Sequence, residues 1–384
     1  SDVSVAPDGS LFIADWFDPV DCCHRTINDA GRIFRVAPPG HRYKITAYDY
    51  QTPAGAVQAL RSPNLSARYR AWTALVGMQS RARAELESMA ADPNPRFRAR
   101  ALWVLAAIGD GAARAIKMAL RDEAEDVRLL ALRIARRHRL PVEPVVRRLV
   151  RDDSVLVRRE CAVSLYQLDS PQSVQLWVKL ALQHDGNDRW YLEALGIGEV
   201  GKEAACLDAW LENAGNAWNS PAGRDIVWRS RAPEAAQLLA SLLLDPGVPP
   251  AGHPRLLRSL DFHHGPGKEV ALTTLLAADS RRNPATWLEA FKRADAEFLK
   301  AHPEISEQAG SVLLACKGTV TFVDLVARFD RRDMTGHLME MTLSDPENEP
   351  GIRAVAQIMA FEQCDPIWKA LSDPARAMQF IEAI

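Results

Sequence analysis

Four short stretches of this chain repeat with a single spacing, thirty residues apart, and that cadence constrains the fold more than any figure of composition. Ala67-Arg68-x-x-Ala71 leads to Leu75, Phe97-Arg98-x-x-Ala101 to Leu105, Val127-Arg128-x-x-Ala131 to Ala135, and Val157-Arg158-x-x-Cys161 to Leu165. Six residues before each arginine stands Ser62, Asp92, Asp122 or Asp152. A fixed period of this length marks a repeat architecture in which each copy is one supersecondary unit.

Helix geometry accounts for the residue types. Positions such as 67, 71 and 75 share one face of a 3.6-residue helix, and Ala or Cys at the middle position lets a neighbouring helix come close. An Asp or Ser just upstream predicts a helix start, with the side-chain oxygen accepting from unpaired backbone N–H groups. A second helix is predicted in each copy, near 81–90, 111–120, 142–150 and 172–183. One such pair cannot bury its apolar stripe alone, so the pairs must stack. Further on the period loosens, but helical spacing persists in 190–195, Ala235–Leu244, Arg255–Leu260, Glu269–Ala278, Pro284–Lys300, Val320–Phe329 and Ile352–Phe361. Trp72, Trp103, Trp177 and Trp190 stand at helical spacing among aliphatics, which predicts core packing.

The D-x-x-x-x-x-R-x-x-A core resembles the short type of HEAT repeat over residues 60 to 200. The expected fold is mainly α: a HEAT-repeat α-solenoid, a right-handed superhelix over 51–384 with divergent C-terminal repeats, preceded by a small antiparallel β element at 1–50. The resemblance implies Asp–Arg ladders between neighbouring repeats, hence structural roles for Arg68, Arg98, Arg128 and Arg158 with Asp92, Asp122 and Asp152.

The first fifty residues differ in kind. Asp2–Ala6 and Ser10–Trp16 alternate around a Pro7-Asp8-Gly9 turn, and Gly31–Val36 supplies a third strand. Three strands amount to about one propeller blade, too small and too open-edged to stand unsupported. The run D-V-x-V-x-P-D-G-S-L-F-x-A-D-W-x-D-P followed by G-R-I-F-R-V resembles the closing blade of a sugar-dehydrogenase-like propeller. With HEAT repeats following, the order is similar to that of the bacterial PVC-type large membrane-bound dehydrogenases, whose propeller and HEAT repeats are followed by a haem domain. That resemblance implies a periplasmic or extracellular parent with a haem or quinone-type cofactor, while this stretch carries no cofactor and no catalytic residue of its own. A chain opening on Ser1 beside a strand is expected to be preceded by further sequence.

Charge is distributed unevenly. The net charge of -2 hides 21 basic against 12 acidic residues over 61–160, and 21 against 30 over 161–384. On the second helices, Arg81, Arg83, Arg114, Lys117, Arg147, Arg148 and Lys179 predict a positive stripe. Of these, Arg83, Arg114, Lys117, Arg147 and Arg148 are the candidate partner-binding residues. A near-neutral total and the lack of interleaved exposed aromatics argue against nucleic acid.

Six cysteines at irregular spacing form neither a disulfide framework nor a zinc or haem motif. Asp15, Asp18 and His24, with Cys22 and Cys23 nearby, are the candidate cation ligands, although their spacing matches no established site. His263 and His264 are expected in an exposed loop. No nucleophile elbow, P-loop or H-E-x-x-H occurs, and no apolar run spans a bilayer. The leading expectation is therefore a non-catalytic scaffold that offers its concave face, lined by the second helices, to a protein or acidic partner. A redox enzyme completed by other domains and a nucleic-acid-binding protein are the alternatives.

Overall fold

The computed structural model describes residues 2–15, 31–278, 284–345 and 347–374, with positions 377, 378 and 381 beyond them and without the side chains at 296, 306–308 and 311. The chain divides into two compact units, 1–202 and 203–384.

The first unit begins with three antiparallel strands in the order β1-β2-β3: β1 Asp2–Val5, β2 Leu11–Asp15 and β3 Arg32–Val36. Asp8 organises the first turn. It accepts from the backbone N–H and hydroxyl of Ser10 and pairs with Arg35 at 2.9 Å and His41 at 3.0 Å. The sheet is tied to the helices by Asn64, which donates to the carbonyl of Val5 at 2.6 Å. Val3, Ile33, Phe34 and Val36 remain exposed on it.

Ten helices follow: α1 (Pro53–Leu60), α2 (Leu65–Met78), α3 (Arg83–Met89), α4 (Pro95–Ala106), α5 (Gly111–Ala119), α6 (Glu125–Arg137), α7 (Glu143–Leu149), α8 (Val155–Ser164), α9 (Pro171–Ala181) and α10 (Arg189–Gly198). The first helices of the repeats, α2, α4, α6, α8 and α10, pack on one another in chain order, and the second helices pack against them. The result is two layers with one shared core.

Ala71, Ala101, Ala131 and Cys161 are each fully buried at the repeat-equivalent position, as are Leu75 and Leu165. Burial pushes the Cys161 thiol far up, so it serves as a small hydrophobe. The turns from first to second helix pass through positive-φ backbone at Gln79, Gly109, Arg139 and Gln167, which stops the helix and lets the chain reverse.

The repeat aspartates act differently from expectation. Asp92, Asp122 and Asp152 accept from the backbone N–H of Asn94, Ala124 and Ser154 at 2.8, 2.9 and 2.9 Å, tightening the turn one step before the helix. The caps proper are Asn64, Asn94 and Ser154, whose side chains accept from the first helical turn. Two residues of extra turn leave the aspartate free to face the neighbouring repeat.

The second unit holds α11 (Glu203–Ala214), α12 (Pro221–Arg229), α13 (Ala235–Leu244), α14 (His253–Leu260), α15 (Pro266–Ala277), α16 (Pro284–Phe291) and α17 (Ala296–Ala301). It continues with α18 (Pro303–Ala315), α19 (Val320–Arg328), α20 (Thr335–Ser344), α21 (Glu349–Ala360) and α22 (Asp365–Leu371). Alternate helices again contact, α13 with α15, α14 with α16 and α19 with α21. The single helix expected over Pro284–Lys300 is two helices, because Asp295 caps a new one by accepting from Phe298 N–H. An aromatic cluster anchors this part, with Trp287 stacked on Phe291 at 5.2 Å and Phe291 against Phe329 at 4.7 Å.

His264 is exposed in the turn after α14, as expected, but His263 is buried. Burial, aided by the positive charges of Arg231 and Lys268, pushes the His263 imidazole down to about 4 from its ordinary 6.5. The unfolded chain therefore takes up a proton at a higher pH than the folded one. Stability is full above pH 6.5 and falls as pH drops towards 4. We expect a loss of about 1–2 kcal/mol across that window, and a clearly shallower pH dependence in His263→Gln, measured by urea unfolding.

Candidate interaction surfaces

Each repeat arginine occupies the fourth position of its first helix, and the two central ones join the turn below to the repeat ahead. Arg98 donates through Nη1 to the carbonyls of Asp92 and Pro93, both at 3.0 Å, and grips Asp122 through Nε and Nη2 at 2.8 and 2.6 Å. Arg128 does the same, with the carbonyls of Asp122 and Glu123 at 3.1 and 2.8 Å and Asp152 at 2.7 and 2.8 Å. Such planar fork-to-carboxylate pairing is what a guanidinium does best. The hydrogen bond from Arg128 holds Asp152 below the usual carboxylate range.

The end members depart from this pattern for identifiable reasons. Beyond Arg158 the repeat-equivalent acid position is Leu182, so its guanidinium keeps the carbonyls of Asp152 and Asp153 and lies 5.8 Å from the Tyr191 ring centroid. Arg68 makes neither contact. Arg61 pairs with Asp92 at 2.6 Å, and Arg100 takes the carbonyls of Leu60 and Ser62 at 2.9 and 3.3 Å. The Arg68 Nε is buried with no hydrogen-bond partner among the described residues.

Of the five candidate partner-binding residues, two are engaged locally. Arg83 pairs with Asp110 at 3.0 Å and Arg114 with Glu87 at 2.9 Å. Lys117, Arg147 and Arg148 are exposed and form no ion pair among the described residues. Lys117 on α5 and Arg147 on α7 are repeat-equivalent, and so are Arg121 and Arg151 in the turns that follow, also exposed. Register alone thus places cations without an ion pair among the described residues in two columns along the second helices and the turns that follow them.

Asp15 lies exposed at the end of β2, opposite Arg32. Asp18, His24, Cys22 and Cys23 lie outside the described residues. No cluster of three or more His, Cys, Asp or Glu that could hold a metal ion occurs among the described residues. Nor is any helix there long and apolar enough to cross a membrane.

The tryptophans divide. Trp177 is buried at 1% exposure and donates to the carbonyl of Leu195 at 2.8 Å, whereas Trp190 is 70% exposed and Trp103 is 38% exposed. Trp72 is half-buried. Core packing was expected for all four, and the difference is one of helix face. Trp103 shares its side of α4 with Ala99, opposite to Ala101 and Leu105. The apolar groove that Trp103 and Trp72 line with Leu65 and Tyr69 went unread in the sequence. Its signal was a second stripe at 65, 69 and 72 on a helix already committed to the core at 71 and 75.

Paired helices in register, with arginine–aspartate rungs joining adjacent copies, invite comparison with known repeat families. Residues 53–133 match the family model of HEAT repeats. No curated protein matches the sequence significantly. The chain is thus mainly α with a HEAT-repeat region and a small three-stranded antiparallel sheet. HEAT arrays work through the extended surfaces that stacking creates, commonly as protein-binding elements.

Proposed function

We propose that this protein is a non-catalytic interaction scaffold whose second-helix face takes an acidic protein partner. One observation carries the reading: Lys117 and Arg147, and likewise Arg121 and Arg151, stand exposed at repeat-equivalent places with Arg148 beside them, and none of the five forms an ion pair among the described residues. Aligned, unneutralised cations raise the local concentration of an anionic partner and orient its approach.

The triple variant Lys117→Glu, Arg147→Glu, Arg148→Glu tests this on the whole chain. A labelled polyglutamate peptide at low salt should bind the native protein and lose about tenfold in affinity with the variant. Equal affinities would leave a merely solvated face and end the reading. Clear preference for duplex DNA over the peptide would replace it with nucleic-acid binding.

A second reading, a propeller blade belonging to a redox protein, is supported by the uncovered Val3, Ile33, Phe34 and Val36 of the sheet. Blade-like sequences elsewhere in the same polypeptide would support it, and a polypeptide without them would end it.

A further inference from the structure

The first helices of the two leading repeats present a surface of another character. Leu65 and Tyr69 on α2 are 68% and 69% exposed, and with Trp72 and with Trp103 on α4 they line a groove of about 590 Å³ floored by buried Leu60 and Val104. Aromatic side chains of this size, left part-exposed together on a well-packed scaffold, mark a place where an apolar anchor can be desolvated. The groove is open along its length, so it does not enclose a small ligand as a cofactor pocket does.

Its rim decides what kind of partner fits. Arg61 holds Asp92, the carboxylate that the repeat register would give Arg68, Arg100 takes the carbonyl of Ser62, and the Arg68 Nε is buried with no hydrogen-bond partner among the described residues. Arg96 and Arg100 also form no ion pair among the described residues. These guanidinium groups are close enough to feel one another: the pKa of Arg100 is lowered, first by burial and then by the charges of Arg68 and Arg96. On α6 the situation is different, since Arg133 and Arg136 share Glu160. Uncompensated positive charge is thus concentrated where the apolar groove lies.

We propose that this groove docks a short acidic segment of a partner protein, with an aromatic or aliphatic anchor between Tyr69 and Trp103 and flanking carboxylates on Arg68 and Arg100. Charge complementarity argues for that occupant over a second copy of the chain. A two-fold contact through this face would set the three arginines against their own mates. The site is separate from the basic columns of the second helices and does not depend on them.

The test uses the whole chain and a fluorescein-labelled peptide of one Phe flanked on both sides by Glu, with a control in which Ala replaces the Phe. Fluorescence anisotropy should show binding that falls about tenfold for the Ala peptide and about tenfold for Trp103→Ala or Arg100→Gln. The thermal midpoints of both variants are measured to establish that they fold. Peptide addition should also slow amide exchange over residues 65–72 and 99–104. Several results would overturn the proposal. They are no binding of the Phe peptide, equal binding of both peptides, or binding lost in the Lys117, Arg147, Arg148 triple variant and retained in Trp103→Ala. Concentration-dependent dimerisation abolished by Trp103→Ala would assign the groove to a second copy and equally overturn it.

Discussion

Arg98→Ala should lower the stability of the first unit by about 2–3 kcal/mol, the largest effect expected from any single rung. The wild-type side chain is 7% exposed and satisfies four acceptors at once, two carbonyls in its own turn and both oxygens of Asp122. Truncation removes all five donors and leaves the mostly buried Asp122 carboxylate with the backbone N–H of Ala124 but without its ion-pair partner. An exposed ion pair would cost under about 1 kcal/mol, and a fully dry one more than is expected here. Arg68→Ala is the internal control. With no partner for its Nε among the described residues, Arg68 should cost no more than about 0.5 kcal/mol when removed. Urea unfolding, with amide exchange in α4 and α6 to locate the loss, distinguishes the two. If Arg68→Ala proved as costly as Arg98→Ala, the rung geometry would not be what stabilises the array. The double variant Arg98→Met, Asp122→Leu should recover most of the loss, since replacing both partners leaves no orphaned charge.

That contrast also measures how much the sequence discloses. The thirty-residue period fixes the helix pairs because it encodes burial: Ala71, Ala101, Ala131 and Cys161 are all fully buried, and a position that tolerates only a small side chain recurs wherever two helices touch. The departure of Arg68 from the row is not encoded in its own repeat. It goes with Arg61, which holds Asp92, and with Arg100, which takes the carbonyl of Ser62, contacts visible only once three segments meet in space. The exposed groove escaped for a related reason. Apolar periodicity reports that a stripe exists, and Tyr69 and Trp103 show that a stripe can face solvent as readily as a core. His263 differs from His264 by one residue and by burial, which no spacing rule assigns in an irregular turn.

The sharpest separation of core from surface lies in two tryptophans thirteen residues apart. Trp177→Ala should cost about 3–5 kcal/mol, the range for deleting a large aromatic from a packed interior. Trp177 sits on α9 at 1% exposure, beside a contact where α10 runs close to α8: a methyl group added at Gly198 would lie 2.5 Å from the carbonyl oxygen of Ala162 and 3.3 Å from Trp177 Cδ1. Helices held that tightly cannot collapse into the void, so the cavity term is close to its full value. The lost indole hydrogen bond adds little, because the carbonyl of Leu195 keeps the N–H of Glu199 at 3.1 Å. Trp177→Phe, which retains most of the volume, should cost roughly half as much or less. Trp190→Ala, at a residue 70% exposed, should change stability by no more than about 0.5 kcal/mol. Thermal unfolding of the three variants against the native chain checks the ordering. Equal losses at 177 and 190 would mean that α9 and α10 do not close over Trp177, and the two-layer packing at the end of the first unit would have to be redrawn.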